Sequence, residues 1–203
     1  MKLKPEETAL ILIGFQNDYF AENGILHTVI EKTESRKTIL SKVINLVNKL
    51  SDINVRVFHM PILFSHNYTE LLEPTGLMAK IKESGAFLRG SDGGRTVPEI
   101  SDLCGSAVTE VLGKTSFNAF TGTDLNTILK ESEIKNVAFA GVITSICIDS
   151  SARSAFEHKY KTFIVSDCIG GRNDFENKYY CEEVFPLYSK LFSANDFIDC
   201  FKD

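Results

Sequence analysis

The residue whose position best suits a reaction centre is Cys147, which lies where a predicted strand (137–142) passes into a predicted helix (146–158). Thr144 or Ser145 could cap this helix. Free backbone N–H groups and the helix dipole favour a thiolate at a helix N-terminus, and the same N–H groups could stabilise an oxyanion. The position therefore predicts a cysteine nucleophile. The alternative is an inert buried cysteine between two isoleucines.

The remaining cysteines have no comparable setting. The chain has five cysteines, an odd number, and no CxxC pair. We therefore expect neither a disulfide framework nor a zinc site formed by cysteines, and we expect the protein to reside in a reducing compartment. We predict structural roles for Cys104, Cys168, Cys181 and Cys200.

Length and charge restrict the class of protein. The chain has 203 residues, 43% of them hydrophobic, which predicts a single domain over 1–203. Its net charge of −5 argues against a nucleic-acid groove and against binding to an anionic membrane. No run approaches the length of a spanning helix, and the charged N-terminus is a poor signal peptide. We expect a cytoplasmic protein.

Strand and helix patterns alternate along the chain. Strands are predicted over 8–13, 54–60, 108–112, 137–142, 162–165 and 190–193, and helices over 36–51, 124–132, 146–158 and 174–187. Residues 67–107 are rich in glycine and proline, so long loops with short helices are expected there. This order predicts an α/β protein with three α/β/α layers and a six-stranded, mostly parallel sheet.

Ligands of such sheets bind at the carboxyl ends of the strands. Four segments follow predicted strands and should lie at this edge of the sheet: 14–18, 114–120, 143–147 and the chain from 167 onward. Five aromatic residues, four of them phenylalanines, occur in or next to these segments and could line a pocket for a flat or apolar group, although any one of them is more simply explained as core. They are Phe15, Tyr19, Phe20, Phe117 and Phe120.

Several segments together resemble the isochorismatase-like cysteine hydrolases, a superfamily with a Rossmann-like sheet. Its members include nicotinamidases, N-carbamoylsarcosine amidases and ureidoacrylate amidohydrolases. Segments 140–147 and 151–156 resemble the part that carries the nucleophile, and 114–125 resembles the part that carries the catalytic lysine. Residues 9–20 resemble the first strand with its Gln-Asn-acid loop, and 167–168 resemble the end of the fifth strand.

The resemblance implies a role for each matching residue. Cys147 would be the nucleophile that attacks a carbonyl carbon, and Lys114 the cation that orients its neighbours. The backbone N–H groups of Ile143 and Cys147 would form the oxyanion hole. The peptide bond between Val142 and Ile143 would be cis. We place Thr144 among the residues that contact substrate.

One residue departs from the family pattern. The family ends its first strand with apolar-Asp-x-Gln-Asn, and this chain has Gly14 where the aspartate would stand. Glycine cannot move a proton, so the general acid/base is missing from its usual place. Asp18 is close in sequence, but the family usually has an acid there as well, so we expect it to be structural. His27 and Asp149 are weaker candidates for the role, and Gly14 could simply end the strand. If the missing carboxylate limits the chemistry, Gly14→Asp should raise amide hydrolysis.

A second departure concerns metal. Nicotinamidases carry an Asp-x-His motif after their second strand, and Ile62 and Phe64 occupy the aligned positions here. His59 and His66 remain, seven residues apart across a proline, which is a weak metal signal. We therefore predict neither a metal nor a cofactor.

Two classes of function follow. The first is a hydrolase that cleaves an amide or ureido C–N bond of a small molecule through a thioester on Cys147, weakened by Gly14. The second is an impaired relative that binds a small ligand or a partner protein. Gly14 could also have been introduced to trap a bound substrate. In each case we expect a homo-oligomer, a dimer or a multiple of one.

Overall fold

Six parallel strands form the sheet at the centre of the molecule. The computed structural model describes residues 1–31 and 33–202, apart from the side chains of 33 and 34. The strands are β1 (Thr8–Ile13), β2 (Arg56–Met60), β3 (Thr109–Glu110), β4 (Asn136–Val142), β5 (Lys161–Gly170) and β6 (Lys190–Phe192). Their order is β3-β2-β1-β4-β5-β6 and every neighbouring pair is parallel. The predicted α/β class is confirmed.

Short helices occur where none was predicted individually. The helices are α1 (Asn17–Phe20), α2 (Thr33–Asp52), α3 (Gly76–Ser84), α4 (Pro98–Ser101), α5 (Leu125–Glu131), α6 (Asp149–Glu157), α7 (Asp174–Tyr179) and α8 (Ala194–Asp199). The predicted helix 174–187 is interrupted, because a π turn over Tyr180–Val184 and a 3-10 turn over Phe185–Leu187 follow α7. Within the described ranges, no helix combines the length and the apolar character that a bilayer crossing requires.

Both faces of the sheet are covered by helices. Leu10 and Leu12 of β1 pack in the apolar cluster that contains residues of α2 and α8. Ile11 and Ile13 point to the opposite face and pack in the cluster that contains residues of α5 and α6. All six residues of β1 are buried, as expected of a central parallel strand. The chain therefore has the predicted three layers.

A third apolar cluster covers the carboxyl edge of the sheet. It joins Tyr19 of α1 and Ile143, which follows β4, to Phe64 and Phe87 from the long segment between β2 and β3. The Tyr68 hydroxyl fixes this segment by donating to the Ala86 carbonyl at 2.7 Å. The glycine- and proline-rich region therefore forms a cap over the strand ends.

The strand order places a crevice beside β1. The chain runs from β1 outward through β2 and β3, and then returns to β4 on the other side of β1. In open parallel sheets this reversal leaves a crevice at the carboxyl ends, where ligands bind. Gly14 follows β1 and Ile143 follows β4, so both lie at this point.

Candidate active site

Cys147 lies on a π turn over Thr144–Ile148 that connects β4 to α6. The N–H groups of Ile146 and Ile148 both donate to the Ile143 carbonyl, at 3.1 and 3.2 Å. Helical structure therefore begins two residues earlier than predicted, and Ile143 holds the N-cap position without a side-chain hydrogen bond. The predicted cap by Thr144 or Ser145 is wrong. The Val142–Ile143 peptide bond is cis, as the resemblance implied.

Gly141 allows β4 to approach β1 closely. Its φ is +125°, and a Cβ atom there would lie 1.9 Å from the Ile13 carbonyl oxygen. A side chain at this position would push the two strands apart. Glycine therefore sets the separation of the two strand ends that flank the crevice.

The first turn of α7 holds the nucleophile turn in place. The Thr144 hydroxyl donates to Asn177 Oδ1 at 2.7 Å. The buried Glu176 carboxylate interacts with the Ser145 hydroxyl and with the Arg172 guanidinium. Burial raises the pKa of Glu176, but the hydrogen bonds from Ser145 and Arg172 outweigh it and leave this pKa lowered. The Asn173 side chain caps α7 by accepting from the Glu176 N–H at 2.9 Å.

Lys114 reaches the nucleophile from the other side of the crevice. Its backbone extends the β2 edge, forming a parallel bridge with Ile62 and accepting from the Leu63 N–H at 3.1 Å. Its side chain is 1% exposed. The Nζ atom lies 3.9 Å from Cys147 Sγ, within hydrogen-bonding distance for sulfur. Residues 114 and 147, far apart in sequence, therefore form one buried amine–thiol pair.

Gln16 positions the lysine indirectly and was not among the predicted site residues. Its side-chain amide donates to the carbonyls of Ile62 and Gly94, both at 2.9 Å, and its oxygen accepts from the Ile62 N–H at 2.9 Å. Since Ile62 is the bridge partner of Lys114, these bonds connect β1 to the lysine segment. The polar stretch 16–18, shortly after the apolar run 8–13, was the signal available in the sequence.

Few titratable groups act on the amine–thiol pair. Burial lowers the pKa of Lys114, and the nearby Cys147 offsets part of that effect. Burial, and then the charges of Cys147 and Asp18, raise the pKa of Tyr19 well above its ordinary value. The imidazole of His59 is also buried, which lowers its pKa, and the Lys114 charge lowers it further. Among the described residues, the thiol therefore has an amine in contact, that of Lys114, and interacts electrostatically with a phenol, that of Tyr19.

Gly14 has a geometry that a carboxylate-bearing residue would not fit. Its φ is +80°, in the left-handed region that favours glycine. A Cβ atom would lie 2.6 Å from the Val142 carbonyl oxygen and 2.8 Å from Val142 Cγ2. An aspartate there would require the Gly14 or Val142 backbone to move. The gain in hydrolysis predicted for Gly14→Asp is not expected from this geometry.

The other carboxylates and the histidine considered as bases form hydrogen bonds with residues other than Cys147. The Asp18 carboxylate accepts from the N–H groups of Ile25 (3.2 Å) and Phe87 (2.6 Å), which ties α1 to the cap. Asp149 accepts from Arg153 at 3.0 Å and from the Tyr188 hydroxyl at 2.6 Å. His27, in the turn before α2, has its Nε2 atom 2.6 Å from the guanidinium of Arg36 in α2. The structure brings none of the three into hydrogen-bond contact with Cys147.

The structure separates the four predicted phenylalanines. Phe15 is fully buried on the face of the sheet opposite Cys147, and its ring stacks on Phe20 at 5.2 Å. Phe120 packs on Tyr160 at the opposite end of β5, with 6.3 Å between ring centroids. Phe15 is therefore corrected to a packing residue, because it lies on the opposite face from the thiol. Phe20 also packs against the cluster that contains Ile143, and substrate contact by Phe20 and Phe120 stays a prediction. Phe120 is also a buried member of the apolar cluster that contains Cys147, and Phe117, which is partly buried, packs against that cluster.

Thr144, another predicted substrate contact, is buried and makes a hydrogen bond within the protein. It is 0% exposed, and its hydroxyl proton is donated to Asn177. The residue therefore positions the nucleophile turn.

The histidines do not assemble a metal site. Among the side chains of residues 1–31 and 35–202, no three His, Cys, Asp or Glu lie close enough together to hold an ion. His59 Nδ1 lies 3.3 Å from Glu110 Oε2, while Ile62 and Phe64 are buried in the cap.

Comparison with known proteins gives consistent matches over nearly the whole chain. The model of the isochorismatase domain matches residues 8–196. A ureidoacrylate amidohydrolase of Agrobacterium fabrum is 24% identical over 208 residues, covering 96% of this chain and 90% of that protein. A cysteine hydrolase structure from Pseudomonas syringae pv. phaseolicola 1448A superposes with a TM-score of 0.84 at 16% identity, covering 98% and 94% of the two chains. An N-carbamoylsarcosine amidase structure from Thermoplasma acidophilum gives 0.74 at 19% identity, covering 96% and 98%.

Proposed function

This chain belongs to the isochorismatase family, and within it we propose that the protein hydrolyses an amide or ureido C–N bond of a small molecule through a thioester on Cys147. The observation that carries this proposal is the buried pair of Cys147 Sγ and Lys114 Nζ, 3.9 Å apart at the crevice between β1 and β4. A thiol becomes a strong nucleophile when a basic or cationic group lies beside it.

The reaction has two halves. In the first, the Cys147 sulfur attacks the carbonyl carbon and the nitrogen leaves, which forms the thioester. The backbone N–H groups of Ile143 and Cys147 stabilise the oxyanion that forms on attack. In the second half, water hydrolyses the thioester and restores the thiol. The hydrogen bond from Thr144 to Asn177 keeps the turn that presents these groups in one conformation.

The surroundings of the thiol favour a small substrate. Cys147 is 4% exposed. Residues between 62 and 88, which form the cap over the strand ends, pack on Ile143. Phe117 and Tyr19 supply the apolar walls of the site. The similarity to a ureidoacrylate amidohydrolase supports a short amide or ureide over a peptide.

A substrate panel tests this function. Purified protein is incubated with short aliphatic amides, N-carbamoyl amino acids and ureido acids, and released ammonia or amine is measured. Turnover of at least one compound is expected. It should disappear in Cys147→Ala and persist in Cys104→Ala, which removes a thiol outside the site. Equal turnover by the Cys147→Ala variant would overturn the proposed nucleophile.

Gly14 favours a second candidate function, the binding of a small ligand without turnover. The position at which the family carries its acid/base holds no carboxylate, and the backbone there leaves no space for one. This alternative predicts that no compound in the panel is hydrolysed, while one of them raises the melting temperature of both the unmodified protein and Cys147→Ala.

A further inference from the structure

Hydrolysis at Cys147 requires proton transfers that the strand end cannot supply. The thiol must lose a proton before it attacks, and an amide nitrogen must gain one before it leaves. The end of β1 holds Gly14, whose Cβ position is occupied by the Val142 carbonyl oxygen at 2.6 Å. The Asp18 and Asp149 carboxylates are held by hydrogen bonds elsewhere.

Lys114 is the basic group in contact with the sulfur. Its Nζ lies 3.9 Å from Cys147 Sγ. The residue is 1% exposed, so solvent ions screen the interaction between the two groups only weakly. Burial lowers the pKa of Lys114, which increases the share of neutral amine that can accept a proton. Among the described residues, the titratable groups that act on Lys114 or Cys147 are His59 of β2, which interacts with Glu110 of β3, and Tyr19 of α1, which interacts with Asp18.

We propose that Lys114 is the general acid/base of this chain and carries the proton between the Cys147 thiol, the leaving nitrogen and water. This inference rests on the proposed function. It assigns to the amine the proton transfers that a carboxylate would otherwise make, in addition to the electrostatic role that the resemblance implies.

The proton balance closes with one lysine. Neutral Lys114 takes the proton of Cys147, and the thiolate forms the C–S bond as the carbonyl π pair moves to oxygen. The oxyanion collapses, the C–N bond breaks, and the nitrogen keeps the bond pair and takes the proton from the Lys114 ammonium. Water then gives a proton to the neutral lysine as its oxygen attacks the thioester. The C–S bond breaks, and the thiolate takes that proton back.

The pH profile of the unmodified protein provides the first test. The probes are 4-nitrophenyl acetate and 4-nitroacetanilide, which share both groups and differ only in the leaving atom. A phenolate leaves without a proton, whereas an anilide nitrogen needs one. If Lys114 supplies it, kcat/KM for the anilide falls at high pH, where the lysine is neutral and has no proton to give. The value for the ester stays level there.

Variants provide the second test. Lys114→Arg keeps the positive charge but removes the acid/base, because guanidinium does not titrate in the working range. It should lower kcat/KM for the anilide by about 10²–10⁴-fold and for the ester by about tenfold or less. The fall of kcat/KM for the anilide at high pH should also disappear in this variant. Tyr19→Phe removes the other protic group near the thiol and should reduce the anilide-to-ester ratio far less.

The outcomes separate this inference from the function on which it rests. Retention of the anilide-to-ester ratio in Lys114→Arg, in a protein whose turnover depends on Cys147, would overturn the lysine assignment alone. A larger loss of that ratio in Tyr19→Phe would transfer the role to the phenol. Ester hydrolysis without anilide hydrolysis at any pH would also reject the lysine as an acid. Turnover that survives in Cys147→Ala, or no turnover of either probe, would reject both proposals.

Discussion

At the scale of single residues, Cys147 differs from the other cysteines in what surrounds it. Burial raises the pKa of Cys168 to about 12 and of Cys181 to about 11, and burial also raises the pKa of Cys104 and Cys200. None of these four is contacted by a lysine amine among the described residues, as Cys147 is.

Iodoacetamide should therefore alkylate Cys147 first, because only the thiolate reacts. Peptide mapping after brief labelling identifies the site. The rate should fall in Lys114→Ala, which removes the partner that stabilises the thiolate. Preferential labelling of any of the other four cysteines, or an unchanged rate in Lys114→Ala, would show that the pair does not activate the thiol.

Gly14 is predicted to be intolerant of any side chain. Gly14→Ala should lower the free energy of unfolding by about 1–3 kcal/mol, because it combines a left-handed backbone with a 2.6 Å contact. Gly85→Ala is the matched control, since Gly85 has φ +75° but no heavy atom within 4 Å of its Cβ position. Urea unfolding of both variants measures the difference. Equal losses would mean that backbone conformation alone, and not the Val142 contact, excludes a side chain.

At the scale of elements, α7 is the helix that fixes the nucleophile turn, and its contribution depends on pH. The folded-state pKa of Glu176 is below its ordinary 4.5. Its stabilising effect is therefore complete above that pH and is lost as the pH falls through the lower folded-state value.

The unmodified protein should consequently lose more stability between about pH 6 and pH 3 than Glu176→Gln does. Glu182→Gln is the control, because that carboxylate is 59% exposed on the following turn. Chemical unfolding at several pH values gives the comparison. If Glu176→Gln and Glu182→Gln had the same pH dependence as the unmodified protein, Glu176 would not hold the turn as described.

The long strands and helices could be predicted from sequence, and the short ones could not. The apolar run 8–13 and the amphipathic stripe of α2 carry strong periodic signals, and both elements form. By contrast, α1 and α4 have four residues each, too few for a period to show. The π turn at Thr144–Ile148 forms through contacts with Asn177 and Glu176, which a local pattern does not contain.

The candidate site shows the same division. Strand order placed segments 114–120 and 143–147 at one edge, and the family resemblance singled out Lys114, which the structure brings to Cys147. They did not indicate on which face each phenylalanine would lie, so Phe15 was placed at the site although it packs on the other side of the sheet. The positive φ of Gly14 was likewise hidden, because it depends on how closely Val142 approaches.

At the scale of the whole molecule, we propose that the chain forms a dimer or a multiple of one. Large apolar side chains are exposed on α6 and on the helical segment that follows β5, among them Phe175 at 80% and Leu187 at 78%. Such groups are commonly covered by a second subunit. Light scattering should give at least twice the chain mass of 22.6 kDa.

Replacing Phe175 and Leu187 by serine should shift this mass toward that of the monomer. Leu72→Ser should not, because Leu72, although 89% exposed, lies elsewhere, in the segment between β2 and β3. A single species of monomer mass at micromolar concentration would reject the proposed assembly.

The central claim is that Cys147 forms a covalent acyl intermediate, and rapid-quench mass spectrometry tests it most directly. The protein is mixed with 4-nitrophenyl acetate, quenched in acid at increasing times, digested and mapped. We predict one acetyl group on the peptide that carries Cys147, appearing at the rate of nitrophenolate release and disappearing once the ester is consumed. Sustained nitrophenolate release with no acetyl group on Cys147, or with the same release rate in Cys147→Ala, would contradict the claim.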